Sequence, residues 1–549
     1  MSSPANLVSR MFHDMSLQSL AIAGSAIFVL VHLVPWLVDK YNLRPYPGPL
    51  LAQFSDVWMG WAALRGRRSQ LVHELHQKYG SFVRIAPNHL SISTPDALSL
   101  VYGHGTGTVK PDFYNAFVTI QPSLVSSRDR AEHTRKRKIV SHIFSAKSVV
   151  EFEPELHKFV EILLKQWETM YQNALKGMQG GEGENEWKGK DGRLWFNCLP
   201  WFNYLAFDFI GDLSFGEPFG MLAAGKDTAP AAKDIDSAMK SIERGDTSSI
   251  ETIEIPAVEI LNGRARYGHP IGVLPKHWRP IVGLHPTYSK GSEDVGAMAG
   301  MAIVSVAKRL AKPSERNDLL NKLSGAKDEH GQSMGREEIT AEALGLLVAG
   351  SDTTSHSIAA IVYYITRDLQ VQRKLQEELD AHISDTGPVS YDLVKNLPYL
   401  HACINEGLRL FSTVPIGLPR SVPEGGMTFM GHFFPEGTIL SVPSYTTHRD
   451  PTVWGGDPGD VEFYRPERWL EADKETLGMM NKAFIPFSVG PRACIGRNIA
   501  MLEMVVAIAS VMYEYDFVLE KEDQELQFKE GFIKRPLDVR VGIKRREHL

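Results

Sequence analysis

At 549 residues, with hydrophobic residues at 43% and charged residues at 23%, the chain has a globular composition that excludes a disordered, collagen-like or fully membrane-embedded polypeptide. Its 59 basic and 65 acidic side chains leave a net charge of −6, so no overall basic field favours nucleic acid. Three cysteines, Cys198, Cys403 and Cys494, are too few for a disulfide scaffold and too scattered for a zinc knuckle, and they fit a reducing compartment.

Residues 20–38 (LAIAGSAIFVLVHLVPWLV) form a run of 19 residues without a formal charge. At ~1.5 Å per residue such a helix spans about 28 Å, close to the ~30 Å hydrocarbon core of a bilayer. Asp39, Lys40 and Tyr41 follow in place of a small-residue cleavage site, so an uncleaved anchor is expected rather than a signal peptide. Residues 39–50 carry alternate prolines, Pro45, Pro47 and Pro49, which predicts a stiff, extended spacer. Lys40 and Arg44 favour the cytosol for that side of the membrane. The expected organisation is a short segment 1–19, an anchor 20–38, a linker 39–50 and one soluble body 51–549.

Further along, residues 81–94 are β-branched and broken by Pro87 and Asn88, the pattern of a hairpin. Helical periodicity dominates from about 131 to 343, interrupted by the glycine-rich, polar stretch 176–193, which reads as a solvated surface loop. A long apolar helix is predicted over 339–368, and another within 391–411, opened by Pro398. Strand-like stretches return at 427–444 and near the C-terminus. The fold class is mainly α (α+β), a large helical body with small sheets.

Residues 484–498 (FIPFSVGPRACIGRN) are the most informative stretch. A lone cysteine is ordinarily a small buried hydrophobe. Here an apolar helix starts near Arg497, and free N–H groups at a helix start stabilise an anion and lower a thiol's pKa. Gly490 and Gly496 allow the backbone to pass beneath something flat, Phe487 can wall the sulfur from water, and Arg492 can neutralise an acidic group. The spacing F-x-x-G-x-R-x-C-x-G, carried by Phe487, Gly490, Arg492, Cys494 and Gly496, resembles the haem-binding signature of the cytochrome P-450 superfamily. The resemblance implies a cytochrome P-450 fold and haem b, with Cys494 as axial thiolate to its iron. That ligand pushes electron density onto the iron and favours O–O cleavage.

Other segments match the same superfamily in order. Residues 349–354 (AGSDTT) put glycine, hydroxyls and a carboxylate inside a helix, a local violation that points to a site. They match its A-G-x-D-T-T motif, which implies that Thr353 and Asp352 hold dioxygen and relay protons to it. Glu406 and Arg409 are i, i+3 on one helix face, and the resemblance adds Arg468 of PERW to form a buried, structural Glu–Arg–Arg cluster. In the basic helix that begins near Arg130, the family commonly has W-x-x-x-R touching a haem propionate. This chain has His133 and Arg137 there. Arg420 falls where the family places another propionate arginine. The remaining cations of that helix suit an acidic flavoprotein.

Longer stretches, 102–120, 127–145, 201–222, 441–450 and 530–546, resemble the fungal benzoate para-hydroxylase group. That resemblance implies 4-hydroxylation of benzoate by O2, with electrons from NADPH through a cytochrome P-450 reductase at the endoplasmic reticulum membrane. A small carboxylate needs a donor or cation in its pocket, and Lys110, Tyr114 and Asn115 are candidates. Three alternatives stay open on sequence alone. They are a monooxygenase of another small aromatic or phenylpropanoid compound, a haem-thiolate isomerase or dehydratase, and a non-catalytic haem-binding protein.

Overall fold

The computed structural model describes residues 16–244, 250–311, 318–328, 330–456 and 459–547. Helix α1 (Leu17–Phe28) continues through a wide turn at Val29–Leu33 into a last helical turn, Val34–Val38. Pro35 lacks an N–H, so the carbonyl four residues earlier loses its partner and the turn opens. Eighteen residues of this rod, Ala21–Val38, are apolar enough to cross a membrane, and none is buried against the rest of the protein. Asp39 ends the rod with a left-handed backbone, and its carboxylate accepts from the Leu43 N–H at 2.9 Å. The proline-rich linker is docked rather than free. The Arg84 N–H donates to the Pro47 carbonyl at 2.8 Å, and the Tyr46 ring packs on Phe82.

The body is built from helices α2 (Arg130–Ser141), α3 (Glu153–Leu175), α4 (Leu199–Phe215), α5 (Ala257–Val273), α6 (Pro286–Ala311), α7 (Arg336–Arg367), α8 (Leu369–Asp380), α9 (Pro398–Leu410) and α10 (Arg497–Glu514). Every residue of α4 is buried, because its sequence is apolar on all sides (LPWFNYLAFDFIGDLSF). It packs along α7, which also touches α6, α9 and α10, so α7 is the central rod of the molecule. The apolar periodicity located α7 within three residues at each end. Pro398 sits in the first turn of α9, as its missing N–H allows.

Two larger sheets, beside three two-stranded ones among the described residues, flank the helices. The predicted hairpin forms strands Phe82–Ala86 and His89–Ile92; the second pairs parallel with Ile439–Ser441, which in turn pairs antiparallel with Arg420–Ser421. The second sheet corrects an expectation. Residues 176–193 are solvated but not a loop, because Trp187–Lys190 and then Gln179–Gly180 at the edge extend a five-stranded sheet with Arg193–Asn197, Arg540–Arg545 and Tyr515–Leu519. A Cβ on Gly189 would lie 2.0 Å from the Ala174 carbonyl oxygen, so this glycine serves close strand-on-helix packing.

Candidate active site

Cys494 lies on the loop that enters α10. Gly490 has φ +75°, and a Cβ there would fall 1.9 Å from the Tyr102 carbonyl oxygen, so only glycine fits. The loop then folds back, the Cys494 N–H donating to the Phe487 carbonyl at 2.8 Å. Gly496 has an ordinary φ, and a Cβ there would meet no protein atom within 4 Å. The sulfur lies deep in the protein yet open to a cavity of about 350 Å³. Burial pushes its thiol above the ordinary value, against the backbone N–H groups of Gly496 and Arg497 and the Arg137 guanidinium. The helix-start effect thus has the expected sign but does not by itself outweigh burial. A coordinated metal deprotonates a thiol outright, which would reverse the balance.

The same cavity is lined by Lys110, His133, Arg137, Arg420 and Arg492. Their hydrogen-bond donors go to neutral acceptors. Arg137 donates to the Ala493 carbonyl (2.8 Å), Arg492 to the Ser127 carbonyl (2.7 Å), Arg420 to the Tyr114 hydroxyl (2.9 Å) and Lys110 to the Val125 carbonyl (2.6 Å). Burial holds Lys110 well below its ordinary value, and Arg420, Arg492 and Arg137 push it further. His133 is pushed down to about 3, first by burial and then by Arg492, Lys110 and Arg137. Crowded cations with no carboxylate counter-ion among the described residues fit a ligand that brings its own anionic groups. Among the described residues no group of three or more His, Cys, Asp or Glu could hold a metal. A lone thiol suits a metal already held by another scaffold. The thiol, the open space over Gly496 and the cations together fit a porphyrin carrying propionates.

Helix α7 brings Asp352 and Thr353 to this cavity. It is a continuous α-helix across them, and the Thr353 hydroxyl donates to the Ala349 carbonyl at 2.6 Å. In that rotamer the hydroxyl can accept but not donate to a third group. Asp352 is buried, its Oδ1 has no hydrogen-bond partner, and burial raises its carboxyl to about 7 against the pull of Arg535 and Arg264.

Glu406, Arg409 and Arg468 come together behind the cysteine loop. Glu406 accepts from Arg409 (2.8 and 2.9 Å), Arg468 (2.8 Å), the Arg465 N–H (3.1 Å) and Trp469 Nε1 (3.0 Å). His448 couples this cluster to the loop. Its Nε2 accepts from the Ile485 N–H at 2.9 Å, which leaves the Nδ1 proton for the Arg409 carbonyl at 3.2 Å.

Of the three candidate carboxylate binders, Lys110 and Tyr114 belong to the cationic group beside Arg420, and the Lys110 ammonium sits 4.9 Å over the Tyr114 ring. Asn115 is exposed, bonded to Asp112 at 2.6 Å, and does not line the cavity, because its short turn (Asp112–Phe117) points it outward. On α2, Arg135 and Lys136 are engaged by Glu132, Glu338 and Glu342; Arg130 and Lys138 on the same helix are exposed, as is Arg128 just before it, which pairs with Asp112 at 3.5 Å. Sequence reasoning missed cavity-lining Arg264 and Glu503, which stand in runs with no motif. Glu503 is pushed up to about 8 by burial alone.

A family model described as Cytochrome P450 matches residues 47–256 and 281–542. "Benzoate 4-monooxygenase bphA" of Aspergillus niger is 42% identical over 537 residues, covering 96% of this chain and 97% of that protein. "Cytochrome P450 monooxygenase ORF11" of Penicillium roqueforti is 32% identical, covering 87% and 90%. "Cytochrome P450 monooxygenase efuB" of Hormonema carpetanum is 30% identical, covering 95% and 96%.

Proposed function

This chain belongs to the cytochrome P450 family of haem-thiolate monooxygenases, and on that premise we propose that it hydroxylates benzoate at ring carbon 4, using O2 and electrons that NADPH supplies through a reductase. The similarity to the Aspergillus niger benzoate 4-monooxygenase, nearly end to end, supports the substrate. The observation that carries the chemistry is one cavity shared by the Cys494 thiol, the cations Arg137, Arg420 and Arg492, which make no ion pair among the described residues, and the Asp352–Thr353 pair.

When bound, haem supplies the iron at which O2 is activated. Cys494 would hold that iron as a thiolate, while Arg137, Arg420, Arg492 and the neutral His133 would take the propionates. Asp352, with a carboxyl near 7, exchanges protons at physiological pH, which a general acid needs. Thr353 accepts or passes that proton once its hydroxyl turns away from the Ala349 carbonyl. Val348, Ala349, Val414 and Ile416 give the cavity an apolar wall against water. The apolar rod 20–38 would fix the chain in the endoplasmic reticulum membrane with its body in the cytosol, and exposed Arg128, Arg130 and Lys138 suit an acidic reductase face.

The test is a binding spectrum of the haem-loaded chain with benzoate, followed by turnover with NADPH and reductase. A shift to high-spin iron and formation of 4-hydroxybenzoate are expected. A chain that gives neither, yet turns over another small aromatic, would overturn the substrate.

A further inference from the structure

Arg264 is a cavity-lining cation that stands apart from the group around Arg420. It projects from α5 together with Leu261 and Ala265, at i, i+3 and i+4, so all three share one face. Beside it stand two cavity-lining rings, Phe117 and Phe532, with centroids 4.9 Å apart. Of its five guanidinium N–H donors, one is engaged, by the Phe117 carbonyl at 3.3 Å. It makes no ion pair among the described residues. Asp352 acts on it only through space, and burial pulls its guanidinium below the ordinary value. Arg535, the other cation that Asp352 senses, does not line the cavity. The cavity therefore presents a planar fork of donors next to an aromatic wall, and none of the described carboxylates is bonded to it.

We infer that Arg264 is the residue that binds the carboxylate of the aromatic acid and so selects acids over neutral aromatics, an inference that rests on the proposed function. A carboxylate is planar and takes two parallel N–H bonds from a guanidinium, which fixes the orientation of the ring as well as its presence. The ring then lies against Phe117 and Phe532, with the carbon opposite the carboxylate turned to the rest of the cavity. Lys110 and Tyr114, turned toward Arg420, are left to the propionate side.

The test uses the full-length, haem-loaded chain and reads dissociation constants from spectral titrations with benzoate and with benzamide, its neutral isostere. Arg264→Gln should weaken benzoate at least about tenfold, the loss of a charge-assisted pair of hydrogen bonds, and leave benzamide within about twofold. Arg264→Lys keeps the charge without the fork and should fall between the two. It also serves if the glutamine variant fails to load haem. Equal benzoate affinity in the wild type and in whichever variant loads haem would overturn the inference while leaving benzoate as the substrate. A parallel loss of benzoate and benzamide would overturn it too, by showing only a damaged cavity. A wild type that neither binds nor converts benzoate would overturn the proposed function and this inference with it.

Discussion

Glu406 and Asp352 are both carboxylates removed from solvent, and their surroundings are opposite. Glu406 accepts from two arginines, an indole and a backbone N–H, and although burial works against it, these partners hold its carboxyl below the ordinary value. Asp352 has one oxygen without a partner and is raised to about 7. A buried carboxylate with every lone pair used is fixed in one protonation state and serves as a lock. One left short of partners near neutral pH can change state, at a cost in stability that the fold bears elsewhere.

That contrast is broken most forcefully at the lock. Glu406→Gln leaves two buried guanidiniums facing an amide and should cost about 3–5 kcal/mol. Thermal unfolding, or the yield of haem-loaded protein, measures it, and a variant as stable as the wild type would mean that the cluster is not a lock.

Asp352→Asn should instead keep the fold and lower hydroxylation by about 10²-fold or more, the usual worth of a general acid. Its pH signature sharpens the comparison. With a folded value near 7 and an unfolded value of 3.8, the native state holds the Asp352 proton longer than the unfolded state does. Stability should therefore fall as pH rises from about 4 to about 7, then level off. The asparagine variant lacks that slope, so it should be the more stable protein at pH 8, with the gap closing toward pH 4. Denaturant titrations at both pH values decide this.

Thr353→Ala removes the adjacent hydroxyl but no buried charge. NADPH should still be consumed, with more of it ending as hydrogen peroxide than as product, and a product-to-NADPH ratio equal to wild type would reject the role. The smallest effect belongs to Asn115→Ala. An exposed side chain outside the cavity should leave benzoate affinity within about twofold.

The parts legible in the sequence are those whose signal is local. Apolar periodicity outlined α7 and α10, Pro398 marked the start of α9, and the spacing around Cys494 announced a ligand before any cavity was visible. The stretch 176–193 misled because Gly180 and Gly189 follow from contacts with Trp187 on the paired strand and with Ala174 on α3, which the local composition does not show. Asn115 misled for a related reason, since its neighbours Lys110 and Tyr114 reach the cavity while its own short turn points it outward.

Residue order by itself pointed to the apolar rod at the N-terminus, the helical body and, through a family resemblance, the cysteine and the Asp352–Thr353 pair that line one cavity, because those signals depend on spacing along one element. Tertiary structure alone decided that Lys110 joins Arg420, that His448 ties the Glu406 cluster to the cysteine loop, and that Arg264 faces the cavity with no ion pair among the described residues. Each of these depends on which elements meet across the fold and on how much water their meeting removes, and neither is written in the spacing of any one segment.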